Sequence, residues 1–183
     1  MKYLTRVLLA PILIVTGPVL AEVTDAEPGG FTTVNEVVIA ADRIDVWKAS
    51  IDDVGQWWNS DHTVAGDARR MSISAVPQGC FCERFESGGG VVHMSVTMVN
   101  PGVIIRLTGG LGPLGLMGVE GNMTWEFEDA GGVTVVRFTY AVGGYRAGGL
   151  DAVAGPVDAV VGEALNRLKV HVESRDSDSA GVE

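Results

Sequence analysis

The sequence is short of cations and lacks the motifs that mark several large enzyme classes. Only 13 of its 183 residues are Lys or Arg, against 23 Asp or Glu, so the formal net charge is −10. A nucleic-acid-binding protein needs a basic surface, and an acidic chain docks poorly on an anionic membrane. The chain also has no G-x-S-x-G, no H-E-x-x-H and no P-loop. We therefore expect no nucleic-acid partner and no familiar hydrolase or nucleotide-binding centre.

Long apolar runs are missing too, except at the amino terminus. Lys2 and Arg6 precede the uncharged stretch 7–20, and Ala21 supplies a small side chain just after it. A basic start, an apolar stretch and a small residue are typical of a secretory signal, whereas a spanning helix needs about 20 apolar residues. We predict a signal peptide over 1–21 cleaved after Ala21, a periplasmic or secreted product, and no permanent membrane anchor after cleavage. An uncleaved anchor is the alternative.

The remaining chain has the length of one domain, 34–173, between a polar flexible leader over 22–33 and a disordered tail over 174–183. Apolar residues recur at helical spacing in two short stretches and in one long carboxyl-terminal stretch. The predicted helices are 43–51, 54–58 and 155–173. Alternation of period two predicts strands at 34–41, 63–66, 70–76, 80–86, 91–99, 103–109, 121–128 and 133–142. Because the breaks between them are short, neighbouring strands are antiparallel.

These elements predict an α+β fold in which a curved antiparallel sheet of about seven strands wraps around a long C-terminal helix, with two short helices after the first strand. Such a shape leaves room for an apolar cavity between sheet and helix. Alternation places large side chains on its inner face, although plain core packing would give the same pattern. The predicted cavity wall comprises Trp57, Trp58, Phe81, Phe85, Met94, Met98, Trp125, Phe138 and Tyr140. Tyr145 and the Gly-rich loop 109–121 are predicted near its mouth.

One carboxylate interrupts this apolar face. Glu83 lies between Phe81 and Phe85 in the alternating strand, so its side chain is predicted to point inward. A buried carboxylate must be paired, hydrogen-bonded or protonated. Glu83 is either satisfied by an arginine or the backbone, or it serves as a polar anchor or acid/base for a ligand.

The two cysteines, Cys80 and Cys82, form a C-x-C pair on the other face of the same strand. At a strand spacing of about 6.5 Å between their Cα atoms a disulfide would be strained, so a redox pair is one hypothesis. His93 is predicted on that face one strand away, which makes a metal site of these three residues a weaker hypothesis because no fourth ligand is evident. Otherwise we expect neither a metal nor a cofactor.

The stretches VNEVVIAADRIDVWKAS (34–50), GCFCERF (79–85) and GGLGPLGLMGVEGNMTWEF (109–127), with the Trp57-Trp58 pair, resemble the SRPBCC superfamily of START-like and Bet v 1-like helix-grip domains. The similarity is greatest to the polyketide cyclase or activator-of-Hsp90-ATPase-like subgroup and covers about residues 34–173. It implies a sheet gripping the C-terminal helix around a hydrophobic cavity. Members bind lipids, sterols, quinones, hormones or polyketides, and a minority are enzymes.

Together these observations predict an exported binding protein for a small hydrophobic or amphipathic molecule, and they favour a binder over an enzyme. One alternative is a cyclase- or hydrolase-type enzyme that uses Glu83 as acid/base on such a ligand. Another is a redox or partner-binding module that uses Cys80 and Cys82. The sequence names neither the ligand nor any protein partner.

Overall fold

The computed structural model describes the backbone of residues 20–180 and the side chains of residues 22–175. The predicted signal peptide, 1–21, lies outside these residues apart from Leu20 and Ala21, whose backbone begins the first strand. The signal peptide and its cleavage therefore stay predictions. No helix within 20–180 is both long and apolar enough to cross a membrane.

Eight strands and three α-helices follow one another along this part of the chain. The strands are β1 Leu20–Glu27, β2 Gly30–Ile39, β3 Met71–Ile73, β4 Cys80–Arg84, β5 Gly90–Asn100, β6 Ile104–Thr108, β7 Val119–Asp129 and β8 Thr134–Gly144. The helices are α1 Arg43–Asp52 and α2 Val54–Trp57, both between β2 and β3, and the long α3 Asp151–Ala180. Short 3-10 turns occur at Ser60–His62, Ala68–Arg70 and Gly112–Leu116.

The strands form one antiparallel sheet in the order β1-β2-β8-β7-β6-β5-β4-β3, and α3 packs against β2 and β1. The apolar stripe of α3 is buried against the sheet, which is the only large apolar surface available to it. This arrangement confirms the predicted α+β class and is consistent with a helix-grip fold. The predicted sheet of about seven strands lacks the edge strand β1.

The predicted flexible leader, 22–33, is wrong, because these residues form β1 and the start of β2. Pro28 and Gly29 make the turn between the two strands, and the carbonyls of both accept backbone N–H groups from the far end of β8 and the start of α3. Phe31 is buried in the core. The polar sequence of β1 suggested a leader because β1 is an edge strand whose side chains are mostly exposed.

The predicted disordered tail, 174–183, is also partly wrong, since α3 continues to Ala180 and only 181–183 lie outside the described residues. Lys169 pairs with Glu173 one turn along the helix, and Arg175 pairs with Asp53 beside α2. The predicted end at Glu173 follows from the end of the apolar stripe. The polar contacts stabilise the last turns of the helix, where that stripe has ended.

The predicted strand 63–66 is not a strand. It belongs to residues 59–67, which we call the strap, running between α2 and β3. The strap's backbone N–H groups at Val64 and Ala65 bond to a carboxylate instead of a neighbouring strand. The side chains of both residues are exposed, which removes the half-buried pattern of a strand.

Candidate functional site

Glu83 is buried, with 1 % of its surface exposed, and its carboxylate accepts three hydrogen bonds. The Val64 N–H lies 2.9 Å from Oε2, and the Ala65 N–H bonds to Oε1. His93 Nε2 lies 3.1 Å from Oε2. The inward orientation predicted for Glu83 is confirmed. Its partners are the backbone and a histidine, and no arginine is among its hydrogen bonds.

These contacts decide the ionisation of Glu83. Burial alone would raise the pKa of this carboxyl group, but the two backbone N–H groups and His93 outweigh burial and lower it below the usual value. Glu83 is therefore an ionised acceptor at neutral pH. A carboxylate so occupied is better suited to orient His93 than to exchange protons itself.

His93 does not lie where alternation places it. Phe81 pairs with Met94, but Cys82 pairs with Val92, so His93 is the extra residue of a β-bulge in β5. His93 and Met94 are consequently both buried, and the imidazole meets Glu83 on the inner face. The predicted position on the cysteine face is wrong because strict alternation assumes a ladder without bulges.

Cys80 and Cys82 form a disulfide with a Cα–Cα distance of 5.4 Å, shorter than the spacing that the sequence implies. The two sulfurs are bonded to each other and His93 faces the opposite side, so the weaker hypothesis of a metal site at these three residues is wrong. No other group of three candidate ligands occurs within the described part of the chain.

The aromatic residues predicted to wall a cavity contact one another. Phe81 meets Trp58 with ring centroids 5.2 Å apart, and Trp125 stacks on Phe138 at 4.3 Å. Trp57 lies 6.1 Å from Trp125. Edge-to-face and stacked contacts of this kind are favourable packing. In this conformation these rings pack on one another in the region where the sequence predicts an open cavity.

Three other residues predicted for the cavity, Met98, Phe85 and Tyr145, lie outside the buried aromatic cluster. Met98 follows a second shift of register, between Val96 and Met98, and is 41 % exposed instead of facing inward. Phe85 lies half-buried just beyond the end of β4. Tyr145 is 80 % exposed, directly after β8.

Tyr140 is buried and ties β8 to the Gly-rich loop. Its hydroxyl donates to the Gly109 carbonyl and accepts the Leu111 N–H, both at 3.0 Å. Burial raises the pKa of Tyr140 to about 12. Because both hydrogen-bonding roles of the hydroxyl are taken, Tyr140 holds the loop rather than reaching for a ligand.

The surface of the described residues carries two clefts that α3 does not line. The larger, of about 540 Å³, is bounded by Val64, Ala65, Asp67, Arg70, Phe85, Glu86 and Ser87. The other, of about 390 Å³, lies at the opposite end, around Arg43 and the β7–β8 hairpin. Val64 and Ala65, which line the larger cleft, also donate their backbone N–H groups to Glu83.

The strap is held from two sides. On one side Glu83 accepts its N–H groups, and on the other Glu163 of α3 accepts Asn59 Nδ2 at 2.6 Å and lies 3.1 Å from His62 Nε2. Trp58, which precedes the strap, donates its indole N–H to the His62 carbonyl.

Sequence reasoning missed a set of polar atoms on the inner face. Three buried polar atoms have no hydrogen-bond partner among the described residues: Thr33 Oγ1, Asn35 Oδ1 and Trp125 Nε1. Arg43 Nε, at the smaller cleft, is likewise buried and without a partner. Asn35 pairs across the strands with Phe138, on which Trp125 stacks. The signal is present in the sequence, because Thr33 and Asn35 fall at the same period-two positions as Phe31, Val37 and Ile39 in β2.

Comparisons with known proteins give a fold and no family. No family model and no curated protein matches the chain. An uncharacterized protein from Rhizobium leguminosarum is 18 % identical with a TM-score of 0.56, over 86 % of this chain and 99 % of that one. CalU16 from Micromonospora echinospora is 10 % identical with a TM-score of 0.53, over 88 % of each chain.

DynU16, from the dynemicin biosynthetic locus, is 19 % identical with a TM-score of 0.54 over 78 % of this chain, which spans 47 % of DynU16. At such identities these likenesses show the fold alone. They are compatible with a helix-grip fold, and the resemblance to SRPBCC proteins stays a prediction.

Proposed function

We propose that this protein is exported and binds a small, largely apolar molecule between the sheet and α3. The observation that carries the proposal is the set of unpartnered atoms on the inner face, Thr33 Oγ1, Asn35 Oδ1 and Trp125 Nε1. A buried polar atom without a partner costs about 1–3 kcal/mol, so such atoms in a native core call for an explanation. A ligand that brings its own polar group supplies one.

The chemistry of the three atoms restricts the ligand. An indole N–H only donates, an amide oxygen only accepts, and a threonine hydroxyl does both. The complementary ligand groups are an acceptor for the indole N–H, a donor for the amide oxygen and either kind for the hydroxyl. The surrounding rings suit an apolar or aromatic body, and a fold neighbour from a biosynthetic locus fits a role with small molecules.

Entry requires the interior to open, because the rings pack on one another there in the described conformation. The strap is the segment suited to move, since it carries exposed side chains and is fixed mainly through two carboxylates, Glu83 and Glu163. Lifting the strap would take Trp58 with it and extend the larger cleft inward. Export is supported by the predicted signal and by the disulfide, since disulfides persist in oxidising compartments.

Two buried threonines offer a matched test. Thr33 Oγ1 has no partner, whereas Thr134 Oγ1 donates to the Ala41 carbonyl at 2.8 Å, and both residues are fully buried. We expect Thr33→Val to weaken ligand retention about 2- to 10-fold and to leave the stability of the stripped protein unchanged or higher. Thr134→Val should cost about 1–2 kcal/mol of stability and leave retention unchanged.

Retention is measured by native mass spectrometry of protein from its own cells, and stability by urea unfolding of solvent-extracted protein. If Thr33→Val loses as much stability as Thr134→Val and retention does not change, the unpartnered hydroxyl has only a structural role and the proposal fails.

An enzyme is the second candidate, and the Glu83–His93 pair favours it. The structure changes the roles that the sequence suggested, because Glu83 is saturated with donors and His93 retains a second ring nitrogen. In this candidate function His93 would move the proton of a cyclisation, dehydration or hydrolysis, and Glu83 would be a positioning residue.

The extracted ligand tests this candidate by incubation with three proteins. Wild type should convert it to a product of changed mass, His93→Gln should not, and His171→Gln, which alters a pair with Asp53 outside the strap, should behave as wild type. If wild-type protein leaves the ligand unchanged, the enzyme candidate fails and binding remains the proposed function.

A further inference from the structure

The Cys80–Cys82 disulfide has no part in the proposed ligand site and lies on the other side of β4. In this strand Phe81 and Glu83 are buried, while the two cysteines alternate with them on the outer face and are half-buried. Their neighbours across the strands, Ser72, Ser95 and Val92, are small, and Ser72 and Val92 are exposed. A reagent in solvent can therefore approach the bridge from the outer face.

The span of this bridge argues against a mainly structural role. A disulfide stabilises a fold by restricting the unfolded chain, and this effect grows with the number of residues in the closed loop. Here the loop holds a single intervening residue, Phe81, so the gain is close to the smallest that a disulfide can give. Strands β3 and β5 already hold β4 on both sides.

A cation lies beside the bridge. Arg84 follows Cys82 by two residues on the same face, is exposed, and forms no ion pair among the described side chains. A nearby guanidinium stabilises a thiolate, and the sulfur that forms the more stable thiolate is the better leaving group in disulfide exchange. Cys82 is nearer to Arg84 along β4 than Cys80 is.

We propose that Cys80–Cys82 is a thiol–disulfide exchange site for an external dithiol, and that Arg84 assists by stabilising the Cys82 thiolate. A thiolate of the dithiol attacks Cys80 Sγ, a mixed disulfide forms, and the Sγ–Sγ bond breaks with Cys82 leaving as thiolate. The second thiol of the partner then attacks its own sulfur in the mixed disulfide and releases Cys80. The protein gains two electrons and two protons, and the dithiol becomes a disulfide.

The proposal holds whether or not the interior binds a ligand, and it is tested by the rate of reduction with dithiothreitol. Protein isolated without reductant should show no free thiols, and two thiols should appear on reduction while the fold is retained by circular dichroism. We expect the folded protein to react within about tenfold of the rate measured in guanidinium chloride, as an accessible bridge does. Free thiols at the outset, or reduction only on unfolding, would overturn the proposal.

The part played by Arg84 has a matched control in Arg106, an exposed arginine of β6. Arg84→Gln should slow reduction of the folded protein about 3- to 10-fold, and Arg106→Gln should leave the rate unchanged. The two variants should react equally fast in guanidinium chloride, whose high ionic strength screens the charge of Arg84. Equal rates of the two folded variants would contradict the assignment of Arg84.

Discussion

The two halves of the sheet differ in regularity. Strand β8 pairs with β2 on one side and with β7 on the other, and neither ladder shifts register. The β2–β8 ladder runs from the Gly30–Gly143 pair to the Ile39–Thr134 pair. Strands β4, β5 and β6 shift register twice, at Phe81/Cys82 and at Val96/Met98. The regular half supplies most of the apolar inner face, and the irregular half carries the buried Glu83–His93 pair and the disulfide.

This difference shows what a bulge does for a functional residue. Without the extra residue in β5, His93 would point to solvent and Glu83 would lack its side-chain partner. A bulge re-aims one side chain at little cost to the rest of the ladder. The buried Glu83–His93 pair therefore depends on the interruption of the ladder, whereas the unpartnered atoms of Thr33, Asn35 and Trp125 lie on the regular strands.

The largest effect is expected on the irregular half. Replacing Glu83 by Ala leaves the Val64 N–H, the Ala65 N–H and the His93 imidazole without their acceptor, and we expect a loss of about 3–5 kcal/mol in the free energy of unfolding. Glu126→Ala, an exposed change on β7, should stay within about 0.5 kcal/mol. Urea unfolding measures both, and similar losses would erase the contrast between the halves.

A smaller loss is expected where the regular half holds the Gly-rich loop. Tyr140→Phe removes the hydrogen bonds to Gly109 and Leu111 and should cost about 1–2 kcal/mol. Tyr145→Phe, on an exposed ring, is the control and should change nothing. Hydrogen exchange at Leu111 should also accelerate in the Tyr140 variant, and protection equal to wild type would show that the hydroxyl does not fix the loop.

Acid should weaken the irregular half through Glu83. Its pKa is lowered in the folded state, so its contribution is present above the ordinary carboxyl value of 4.5 and is lost as pH falls through the lower, folded value. The stability of wild type should therefore fall more steeply below pH 4.5 than that of Glu83→Gln. Parallel curves of stability against pH would indicate that the pair does not lower this pKa.

The smallest effect is expected at Met98. Strict alternation buries it, but the second shift of register exposes it, so Met98→Ala should cost no more than about 0.5 kcal/mol. Met94→Ala, at a fully buried position, should cost about 2–5 kcal/mol. A large loss at Met98 would mean that β5 follows the unbroken register in solution.

The regular half was predictable because its side chains follow a period of two. The inward positions of Trp125, Phe138 and Tyr140 follow from counting residues away from the Asp129–Gly132 turn, and the apolar stripe of α3 follows from its helical spacing. The fold class rests on these two signals.

The candidate site was only half predictable. Glu83 was found because it breaks an apolar face, but its partners come from a bulge and from a strap distant in sequence, and neither has a local signature. The edge strand β1 was missed because an exposed strand lacks the alternation of a half-buried one. The packing of the aromatic rings on one another depends on side-chain volumes, which patterning does not measure.

Native mass spectrometry of the protein isolated from its own cells tests the central claim most directly, since it reports whether the unpartnered atoms of the interior meet a ligand. The account predicts a species heavier than the polypeptide by the mass of one small molecule, with that mass less populated in Thr33→Val than in Thr134→Val. Bare polypeptide mass in every preparation would contradict it.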